Sequence, residues 1–384
     1  MDTITKKIFI SAGETSGDMH GSNLMREIHR KNPSITFYGL GRNKMAEAGL
    51  QCIHDMSSHS VMWLQALKKI PGLWNVFKNC TRFFDEERPE LVILIDYVGF
   101  NLYLAKAAKK RNIPVMYYIS PQLWAHGSWR IKKIKKFVDR MVVIYPFEEA
   151  FYTNGGVSAK YVGHPLFDEL NTRDIDEVLV EKMKAGEDKT IVSLLPGSRK
   201  QEIRKLLPVL LETATAIHEK IPSATFLLSC SNTRNLELIE GITKRFTSAN
   251  NKRLSIEIVT EKVSEIIKAS SLCICNSGTV TLEIANYQIP MIACYRVSPF
   301  EYFASKPHID TPYICLVNAI AAKEVVPEKT MYRDDYKWLA SHATELLLNE
   351  EKREVCIAGL KEVTSLIGAP GASEKAAEEA LSMI

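Results

Sequence analysis

Three stretches of small polar residues have the composition of anion-binding turns. Residues 11–21 read Ser-Ala-Gly-Glu-Thr-Ser-Gly-Asp-Met-His-Gly, residues 195–199 read Leu-Pro-Gly-Ser-Arg, and residues 276–283 read Asn-Ser-Gly-Thr-Val-Thr-Leu-Glu. Glycine lets the backbone approach a ligand closely, and N–H groups at the start of a helix attract phosphate. Arg199 can add a forked, charge-assisted bond, and Glu283 can accept from ribose hydroxyls. Two such turns in the second half of the chain predict a nucleotide linked through a diphosphate.

Each stretch also has an interpretation without a ligand, as a capped turn between a strand and a helix. In the first stretch, Ser16 or Asp18 can cap the helix that follows. This stretch lacks the Gly-x-Gly-x-x-Gly spacing, and no acidic residue is well placed to bind a ribose, which disfavours a nicotinamide dinucleotide. The residues predicted to contact the nucleotide and its sugar are Gly13, Glu14, Ser16, Gly17, Gly197, Ser198, Arg199, Glu202, Ser277, Gly278, Thr279 and Glu283.

The turns follow apolar runs that have the length of buried strands. Short apolar segments alternate with amphipathic ones, which is typical of a parallel α/β sheet. The predicted strands are Lys7–Ala12, Thr36–Leu40, Leu91–Asp96, Val115–Ile119, Met141–Ile144, Thr190–Leu195, Thr225–Ser229, Ser255–Val259, Leu272–Cys275 and Met291–Tyr295. The predicted helices include Asp18–Arg30, Asn101–Arg111, Lys205–Lys220 and Val280–Asn286.

The two sets of strands predict two doubly wound, Rossmann-like domains that face each other across a cleft. A chain of 384 residues is longer than a single hydrophobic core usually accommodates, and the polar stretch 167–189 separates the two sets of strands. We place the N-terminal domain at residues 1–168 and the C-terminal domain at residues 169–384, with the last helix a candidate to pack back on the N-terminal domain. Ligands of such sheets bind beyond the carboxyl ends of the strands, where the three stretches stand.

The composition is that of an ordinary globular protein, with 46% hydrophobic and 24% charged residues. The net charge of +4 is small for this length and does not point to nucleic acid. The eight cysteines include no Cys-x-x-Cys pair, so we expect reduced, mostly buried thiols rather than zinc ligands. The first ten residues do not read as a secretory signal, and no segment approaches the roughly 20 apolar residues of a spanning helix.

The motifs, in their order along the chain, resemble those of the lipid-A-disaccharide synthase family. Besides the three stretches, the resemblance rests on residues 118–121 (Tyr-Ile-Ser-Pro) leading to Trp124 and Ala125, on residues 146–148 (Pro-Phe-Glu), and on residues 163–165 (Gly-His-Pro). It covers most of the chain. It implies the GT-B type glycosyltransferase fold and the joining of UDP-2,3-diacylglucosamine to 2,3-diacylglucosamine 1-phosphate, with a β-1,6-linked disaccharide and UDP as products.

The resemblance also implies roles for three residues. Asp96 matches the family's catalytic aspartate, Arg199 its functionally important arginine, and Asn318 its asparagine near the donor site. The residues themselves agree for Asp96, because the apolar run 91–95 delivers it to the rim of the sheet. A carboxylate there can take the proton from an attacking sugar hydroxyl. The alternative is an aspartate that braces its own loop.

Three positions depart from the family pattern. The family usually has Asp where this chain has Gly99, Trp where it has His126, and Gln where it has Met331. These departures concern acceptor-side contacts and fine donor contacts rather than the phosphate turns, and they leave the acyl-chain preference open. His20 and His126 are alternatives as additional bases, although a loop histidine is more often only hydrogen-bonded.

We expect neither a metal ion nor another cofactor. Metal-dependent glycosyltransferases commonly hold the diphosphate through paired aspartates. The only Asp-x-Asp in this sequence is Asp174-Ile175-Asp176, which we interpret as a solvated helix start in the polar inter-domain stretch. Helix dipoles and Arg199 can stabilise a leaving diphosphate instead.

Both implied substrates carry acyl chains, so the resemblance implies a cytoplasmic protein bound peripherally to the inner membrane. Apolar residues recur at helical spacing over residues 61–78 with lysines beside them, and Pro71-Gly72 is predicted to divide this stretch into two short helices. The alternative is a plain core helix. The predicted membrane or acyl contacts are Trp63, Leu67, Ile70, Leu73, Trp74 and Phe77. A second basic cluster that can attract anionic lipid comprises Arg130, Lys132, Lys133, Lys135 and Lys136.

Three hypotheses for function follow. The leading one is inverting glycosyl transfer, in which the acceptor 6-hydroxyl, assisted by Asp96, attacks the anomeric carbon as UDP leaves. A UDP-sugar epimerase on the same fold would use the same phosphate turns but has no need for exposed Trp63 and Trp74. A non-catalytic UDP-sugar-binding protein is the third hypothesis, and Gly99 and His126 keep it open.

Overall fold

The computed structural model describes residues 6–53, 70–125, 127–185, 189–250, 254–305 and 310–384. Its strands are β1 (Lys6–Ala12), β2 (Ile35–Leu40), β3 (Leu50–Cys52), β4 (Leu91–Ile95), β5 (Val115–Tyr118), β6 (Arg140–Val143), β7 (Ala159–Tyr161), β8 (Thr190–Leu195), β9 (Ala224–Cys230), β10 (Ile256–Thr260), β11 (Leu272–Asn276), β12 (Met291–Arg296) and β13 (Glu328–Met331). Its α-helices are Thr15–Lys31, Asn43–Glu47, Ile70–Glu87, Val98–Lys109, Ile131–Phe137, Pro146–Asn154, Pro165–Thr172, Glu177–Lys184, Lys200–Lys220, Leu236–Asn250, Val263–Ala269, Val280–Asn286, Pro299–Ser305, Leu316–Ala321, Tyr336–Leu348, Glu350–Ile367 and Ala372–Leu381.

The strands form two parallel sheets of the doubly wound type. The first has the order β3-β2-β1-β4-β5-β6-β7 and the second has the order β10-β9-β8-β11-β12-β13. In each sheet the first strands in sequence extend from the middle to one edge, and the later strands extend from the middle to the other edge. The strand order therefore reverses between β1 and β4 and again between β8 and β11. Loops that follow these strands diverge to opposite faces of the sheet and leave room for a ligand.

The predicted strands are confirmed, each within one residue at either end. The sequence-based prediction missed β3, β7 and β13, which have only three or four residues each and lie at the edges of the sheets. Central strands of a parallel sheet are buried on both faces and therefore read as continuous apolar runs, as in β4. A short edge strand carries no such run, so its pattern does not stand out.

Three of the predicted helices begin earlier than the sequence suggested. The first starts at Thr15 rather than Asp18, the helix after β4 starts at Val98 rather than Asn101, and the helix after β8 starts at Lys200 rather than Lys205. Small polar residues and charges near the glycines, which suggested a longer turn, already lie within the first helical turn. The amides at these helix starts are therefore closer to the ends of the strands than the prediction assumed.

The chain divides into two compact units. The first contains Met1–Asn171 together with Ala369–Ile384, and the second contains Thr172–Gly368. The second unit thus begins three residues after the predicted boundary, and the last helix belongs to the first unit. Residue 168, where the predicted N-terminal domain ends, lies inside the helix Pro165–Thr172.

The carboxylate of Asp168 holds the C-terminal helix in the first unit. It accepts hydrogen bonds from the backbone N–H groups of Gly371, Ala372 and Ser373 at 2.6, 3.1 and 2.9 Å. Negative charge at the start of a helix satisfies its unpaired N–H groups and interacts favourably with its dipole. Arg30 reinforces the attachment through an ion pair with Glu374 at 2.8 Å. This cap comes from a residue about two hundred positions away in sequence.

Apolar side chains from the first sheet and its covering helices form one continuous core. Phe9 of β1 contacts Phe84 of the helix Ile70–Glu87 edge to face, with 4.8 Å between the ring centroids. Tyr117 of β5 and Leu104 of the helix Val98–Lys109 belong to the same buried cluster. Burial of this kind fixes the strand ends relative to one another.

Two further predictions about the chain are confirmed by the structure. All eight cysteines lie in the described part of the chain and are free thiols, seven of them buried. Asp176 accepts a hydrogen bond from the N–H of Leu179 at 3.0 Å and caps the helix Glu177–Lys184, as the interpretation of the Asp-x-Asp as a helix start required. Over the described ranges, no helix is both long enough and apolar enough to cross a bilayer.

Candidate functional site

Asp96 and the three predicted turns lie at the two points where the strand order reverses. In the first sheet Ala12 of β1 is paired with Ile95 of β4, so the turn at Gly13 and the residue Asp96 lie beside each other. In the second sheet Leu195 of β8 is paired with Cys275 of β11, which brings the turn at Gly197 beside the segment 276–279. The topology thus assembles two loop pairs from motifs that are about eighty residues apart in sequence.

Asp96 stands at the carboxyl end of β4 with its main chain in the left-handed region, at a φ of +47°. Its side chain is partly buried, and this burial raises the pKa of the Asp96 carboxyl above its ordinary value, with a smaller contribution from the negative charge of Glu14. A carboxylate with a raised pKa is a stronger base than an ordinary aspartate. The electrostatics of the first loop pair therefore suit proton abstraction.

The first loop pair is tightly packed at Gly13. A Cβ atom at this position would lie 2.6 Å from Cγ of Tyr97. The Tyr97 ring therefore occupies the space that any side chain at residue 13 would need, and glycine is required there for close approach rather than for its dihedral angles. Glu14 is half-buried, Ser16 is exposed and Gly17 is buried.

The sequence offered Asp18 as a candidate cap for the helix that follows the first turn. In the structure Asp18 does not cap that helix. It lies inside that helix, where its carboxylate accepts hydrogen bonds from the N–H groups of Arg42 at 2.6 Å and Lys44 at 3.1 Å. Asp18 therefore caps the helix Asn43–Glu47. The helix Thr15–Lys31 itself begins after Glu14 without a side-chain cap.

The second loop pair contains a carboxylate where we predicted a phosphate. Gly197 has a φ of +102°, and the next two N–H groups, of Ser198 and Arg199, both donate to Oε2 of Glu202 at 3.2 and 3.1 Å. Oε1 of Glu202 accepts from Nη1 of Arg199 at 2.8 Å. Glu202 was predicted to contact the ligand, but in this structure it is bonded to its own turn. Phosphate can reach these two amides only when Glu202 leaves them.

The remaining positions of the second loop pair are more open. Oγ of Ser277 donates to the carbonyl of Ile314 at 2.6 Å, so this hydroxyl is used to hold the chain. Thr279 is exposed, and no heavy atom lies within 4 Å of a Cβ built on Gly278. These two residues form the accessible part of the turn that opens the helix Val280–Asn286.

Glu283 and Asn318 lie behind this turn and are bonded within the chain. Glu283 is 8% exposed, and its Oε1 accepts from Oγ of Ser264 at 2.5 Å and from Nη1 of Arg173 at 2.7 Å. Asn318 is fully buried; its amide nitrogen donates to the carbonyl of Val326 and its oxygen accepts from the N–H of Val325, at 2.9 and 2.8 Å. For Asn318 this geometry favours shaping the loop over direct contact with a sugar nucleotide.

Glu328 is a site-building residue that the sequence did not reveal as such. Its Oε1 accepts from the N–H of Ile314 at 2.9 Å, and its Oε2 accepts from Nδ2 of Asn318 at 3.0 Å. Because Ile314 is also the partner of Ser277, Glu328 and Asn318 together fix the backbone against which the Ser277 turn rests. Only the adjacency of β12 and β13 brings this carboxylate to the turn.

A buried carboxylate organises the loop after β5 in the first unit. Glu148 is fully buried, and its Oε1 accepts from Oγ of Ser120 at 2.6 Å and from Nε1 of Trp124 at 3.0 Å. Its Oε2 accepts from the N–H of Tyr145 at 3.2 Å. Burial raises the pKa of Glu148 to about 7, although these hydrogen bonds oppose the shift. Two motifs that were noted only for their resemblance thus meet in one hydrogen-bonded cluster.

The positions that depart from the family pattern differ in their surroundings. Gly99 is exposed, with no heavy atom within 4 Å of a Cβ built on it, so the space of the usual aspartate is open. Met331 is 2% exposed at the end of β13. His126 lies outside the described residues. Burial lowers the pKa of the alternative base His20 to about 4, so its imidazole is neutral at pH 7.

The predicted membrane face is described only in part. Trp63 and Leu67 lie outside the described residues, as does the side chain of Ile70. The helix begins at Ile70, so Pro71-Gly72 lie in its first turn and do not divide a described helix. Trp74 is 56% exposed, whereas Leu73 and Phe77 pack partly against the core. This helix therefore combines an exposed tryptophan with a side that packs against the core.

The second basic cluster is exposed and contains a tryptophan. Trp129 is 62% exposed, and the guanidinium of Arg130 and the ammonium of Lys133 lie 5.2 and 5.7 Å from the centre of its ring. Lys132, Lys135 and Lys136 are exposed on the helix Ile131–Phe137. An exposed aromatic ring surrounded by cations has the chemistry of an interface with anionic head groups.

Solved structures with the same architecture establish the fold class. The structure of S. aureus MnaA with UDP has a TM-score of 0.66 at 13% identity, covering 99% of this chain and 98% of that one. A UDP-GlcNAc 2-epimerase from Neisseria meningitidis bound to UDP-GlcNAc has a TM-score of 0.58 at 12% identity, with coverages of 98% and 99%. WaaG, a glycosyltransferase involved in lipopolysaccharide biosynthesis, has a TM-score of 0.58 at 11% identity, with coverages of 97% and 99%. The two α/β units are those of the GT-B fold class.

Sequence relatives then identify the family. The lipid-A-disaccharide synthetase family profile matches residues 8–381. The lipid-A-disaccharide synthase of Geobacter metallireducens is 35% identical over 99% of this chain and 97% of its own length. That of Geobacter sulfurreducens is 36% identical over 100% of this chain and 98% of its own length. The chain belongs to the lipid-A-disaccharide synthase family, a family of glycosyltransferases of lipid A biosynthesis.

The buried Glu148 predicts a pH-dependent contribution to stability. Its folded pKa of about 7 lies above the ordinary value of 4.5, so folding takes up a proton between these pH values and the stability contribution falls as the pH rises through them. Glu148→Gln removes this titration. We expect the free energy of unfolding lost on substitution to be larger at pH 5 than at pH 8, as measured by urea denaturation.

The exposed Glu86→Gln variant is the matched control for replacing a carboxylate by an amide. A loss at Glu148→Gln that stays the same from pH 5 to pH 8 would show that the folded protein holds this group as a carboxylate throughout.

Proposed function

We propose that the protein transfers a 2,3-diacylglucosaminyl group from its UDP derivative to the 6-hydroxyl of 2,3-diacylglucosamine 1-phosphate. Membership of the family supports the reaction class, and the resemblance of the motifs supports these substrates. The observation that carries the proposal is the position of two groups. The carboxylate of Asp96, which can act as a base, lies where the strand order of the first sheet reverses, and the turn at Gly197, whose N–H groups can bind an anion, lies where that of the second sheet reverses. The products are the β-1,6-linked disaccharide and UDP.

In this proposal Asp96 acts as the general base. Its carboxylate takes the proton of the acceptor 6-hydroxyl while that oxygen forms a bond to the anomeric carbon of the donor. The raised pKa of the Asp96 carboxyl, caused first by burial, supports this role because it makes the carboxylate a stronger base. A single displacement of this kind inverts the configuration at the anomeric carbon.

The second unit binds the UDP leaving group in this proposal. The bond between the anomeric carbon and the diphosphate oxygen breaks, and the electron pair remains on UDP. Arg199 is the cation of the turn, and its side chain is 73% exposed, which leaves it accessible to phosphate. Gly197, Ser198, Gly278 and Thr279 supply backbone for close approach. Structures of the same fold were solved with UDP, which supports the same ligand here.

Glu202 has a specific part in this binding step. Its carboxylate occupies the amides of Ser198 and Arg199 and neutralises the guanidinium. We propose that the diphosphate replaces this carboxylate, so that the turn is never left with unpaired N–H groups. Glu283 and Asn318 keep the neighbouring turn in place, and Glu14, Ser16 and the glycines of the first turn line the ligand side of β1.

We propose that the protein works on the surface of the inner membrane from the cytoplasmic side. The acyl chains of both substrates are insoluble in water, so the protein must reach them at a bilayer. Trp74 stacks on Phe77 with 5.5 Å between the ring centroids, and the ammonium of Lys78 lies 5.9 Å from the Trp74 ring. This arrangement suits the interface between acyl chains and phosphate head groups. The basic cluster around Trp129 adds a second anionic-lipid contact.

Replacing Asp96 tests the proposed reaction. Asp96→Asn keeps the size of the side chain and tolerates the left-handed backbone, whereas Asp96→Ala removes the side chain altogether. We expect both variants to lose turnover by about 10²–10⁴-fold because no base receives the proton. UDP affinity, measured by calorimetry, should be retained. Disaccharide formation at the wild-type rate, followed by mass spectrometry, would remove Asp96 from this role.

Replacing Arg199 tests the proposed diphosphate site. Loss of a charge-assisted bond to phosphate should weaken UDP binding about tenfold in Arg199→Ala, as measured by calorimetry. Arg204 is an exposed arginine of the same helix, so Arg204→Ala removes the same charge away from the turn. Equal UDP affinity in the two variants would place the diphosphate elsewhere.

Replacing Trp74 tests the membrane contact. We expect Trp74→Glu to reduce flotation with vesicles that contain anionic phospholipid, because a carboxylate replaces an aromatic ring at the interface. Val178→Glu is the control, since Val178 is 81% exposed and lies in the second unit. Unchanged flotation of Trp74→Glu would exclude this side chain from the contact.

A further inference from the structure

The main chain at Asp96 has a costly conformation. Asp96 and Tyr97 are consecutive residues with φ values of +47° and +46°, and neither is a glycine. The left-handed region costs an L-residue roughly 1–2 kcal/mol, and such conformations persist only where the surrounding structure holds them. One buried side chain, that of Asn101, holds this pair in place.

The side-chain amide of Asn101 binds the peptide groups on both sides of Asp96. Its Nδ2 donates to the carbonyl of Ile95 at 3.1 Å and to the carbonyl of Asp96 at 2.9 Å. Asn101 is fully buried in the first turns of the helix Val98–Lys109. A single atom can donate to both carbonyl oxygens only if it carries two hydrogens. An amide nitrogen carries two, whereas a hydroxyl oxygen carries one and an ionised carboxylate carries none.

Two further side chains complete this network. Oγ of Ser11, on the neighbouring strand β1, donates to Oδ1 of Asn101 at 2.9 Å and so fixes the plane of the amide. The hydroxyl of Tyr117, on β5, donates to the carbonyl of Asp96. The carbonyl of Asp96 is therefore bonded from two directions. Strands on both sides of β4 thus contribute to the geometry of one residue.

We propose that Asn101 is a positioning residue for Asp96. Its bonds go to main-chain oxygens, so it sets the dihedral angles that aim the carboxylate without touching the carboxylate itself. Ser11 acts one step behind it by orienting the amide. A misdirected base lowers the rate of proton transfer more than it lowers substrate affinity, because a displacement of about 1 Å can cost about 10²-fold in rate.

This inference rests on the proposed role of Asp96, so the experiment measures both. Turnover, KM and UDP affinity are compared in Asn101→Ala, Asp96→Asn and the double variant, with Asn154→Ala as the control for loss of an exposed asparagine in the same unit. We expect Asn101→Ala to lower kcat by about 10²-fold with KM and UDP affinity retained. In the Asp96→Asn background it should cause no further loss, because its effect passes through Asp96.

Ser11→Ala is the milder variant that keeps the test decisive if Asn101→Ala folds poorly. It removes one bond and leaves both carbonyl contacts, so we expect kcat to fall about three- to tenfold, in line with a single neutral hydrogen bond. Its effect should also vanish in the Asp96→Asn background. A purely structural role would instead lower the unfolding temperature and UDP affinity while kcat per folded molecule stayed at the wild-type value.

The outcomes separate the two proposals. Wild-type turnover in Asp96→Asn would overturn the role of Asp96 and this inference together. Lost turnover in Asp96→Asn with wild-type kcat in folded Asn101→Ala and Ser11→Ala would overturn only the inference. Losses that multiply in the double variants would show that Asn101 acts independently of Asp96, which also overturns it.

Discussion

The main-chain pairing of β1 with β4 and of β8 with β11 is the constraint on which the rest of the structure depends. Each pair joins strands far apart in sequence, and in each pair the helices that follow leave toward opposite faces of the sheet. The ends of these strands are therefore the places where backbone N–H groups and polar side chains remain accessible beside a rigid core. Every loop assigned a role in transfer begins at one of these ends or rests against one.

Polar side chains around these loops are mostly occupied with one another. Glu202 bonds the amides of its own turn, Glu283 bonds Ser264, and Asn318 bonds the loop at 325–326. Buried or partly buried polar groups that lack partners are costly, so a site that must wait for its ligand is stable only when its own chain supplies substitutes. This explains why several residues whose types suggest ligand contact serve first to hold the loops.

The same reasoning connects strain with chemistry at Asp96. A left-handed main chain costs free energy, and the network of Ser11, Asn101 and Tyr117 offsets that cost from three different elements. Partial burial of the Asp96 carboxylate costs additional free energy, and this cost raises the pKa of the carboxyl group. Both costs are sustained by the core packed around β4, whose five residues are all buried.

The sequence by itself determined the fold class, the central strands and the location of the polar turns that follow them. Short continuous apolar runs such as 91–95 that alternate with amphipathic segments predict buried parallel strands, and the polar residues after them mark the carboxyl ends of those strands. Tertiary structure decided the edge strands, the return of the helix Ala372–Leu381 onto Asp168, and the partners of Glu202, Asn318 and Asn101. Those features depend on which polar atoms meet after the chain has folded, and residue type and spacing do not encode such long-range contacts in any local pattern.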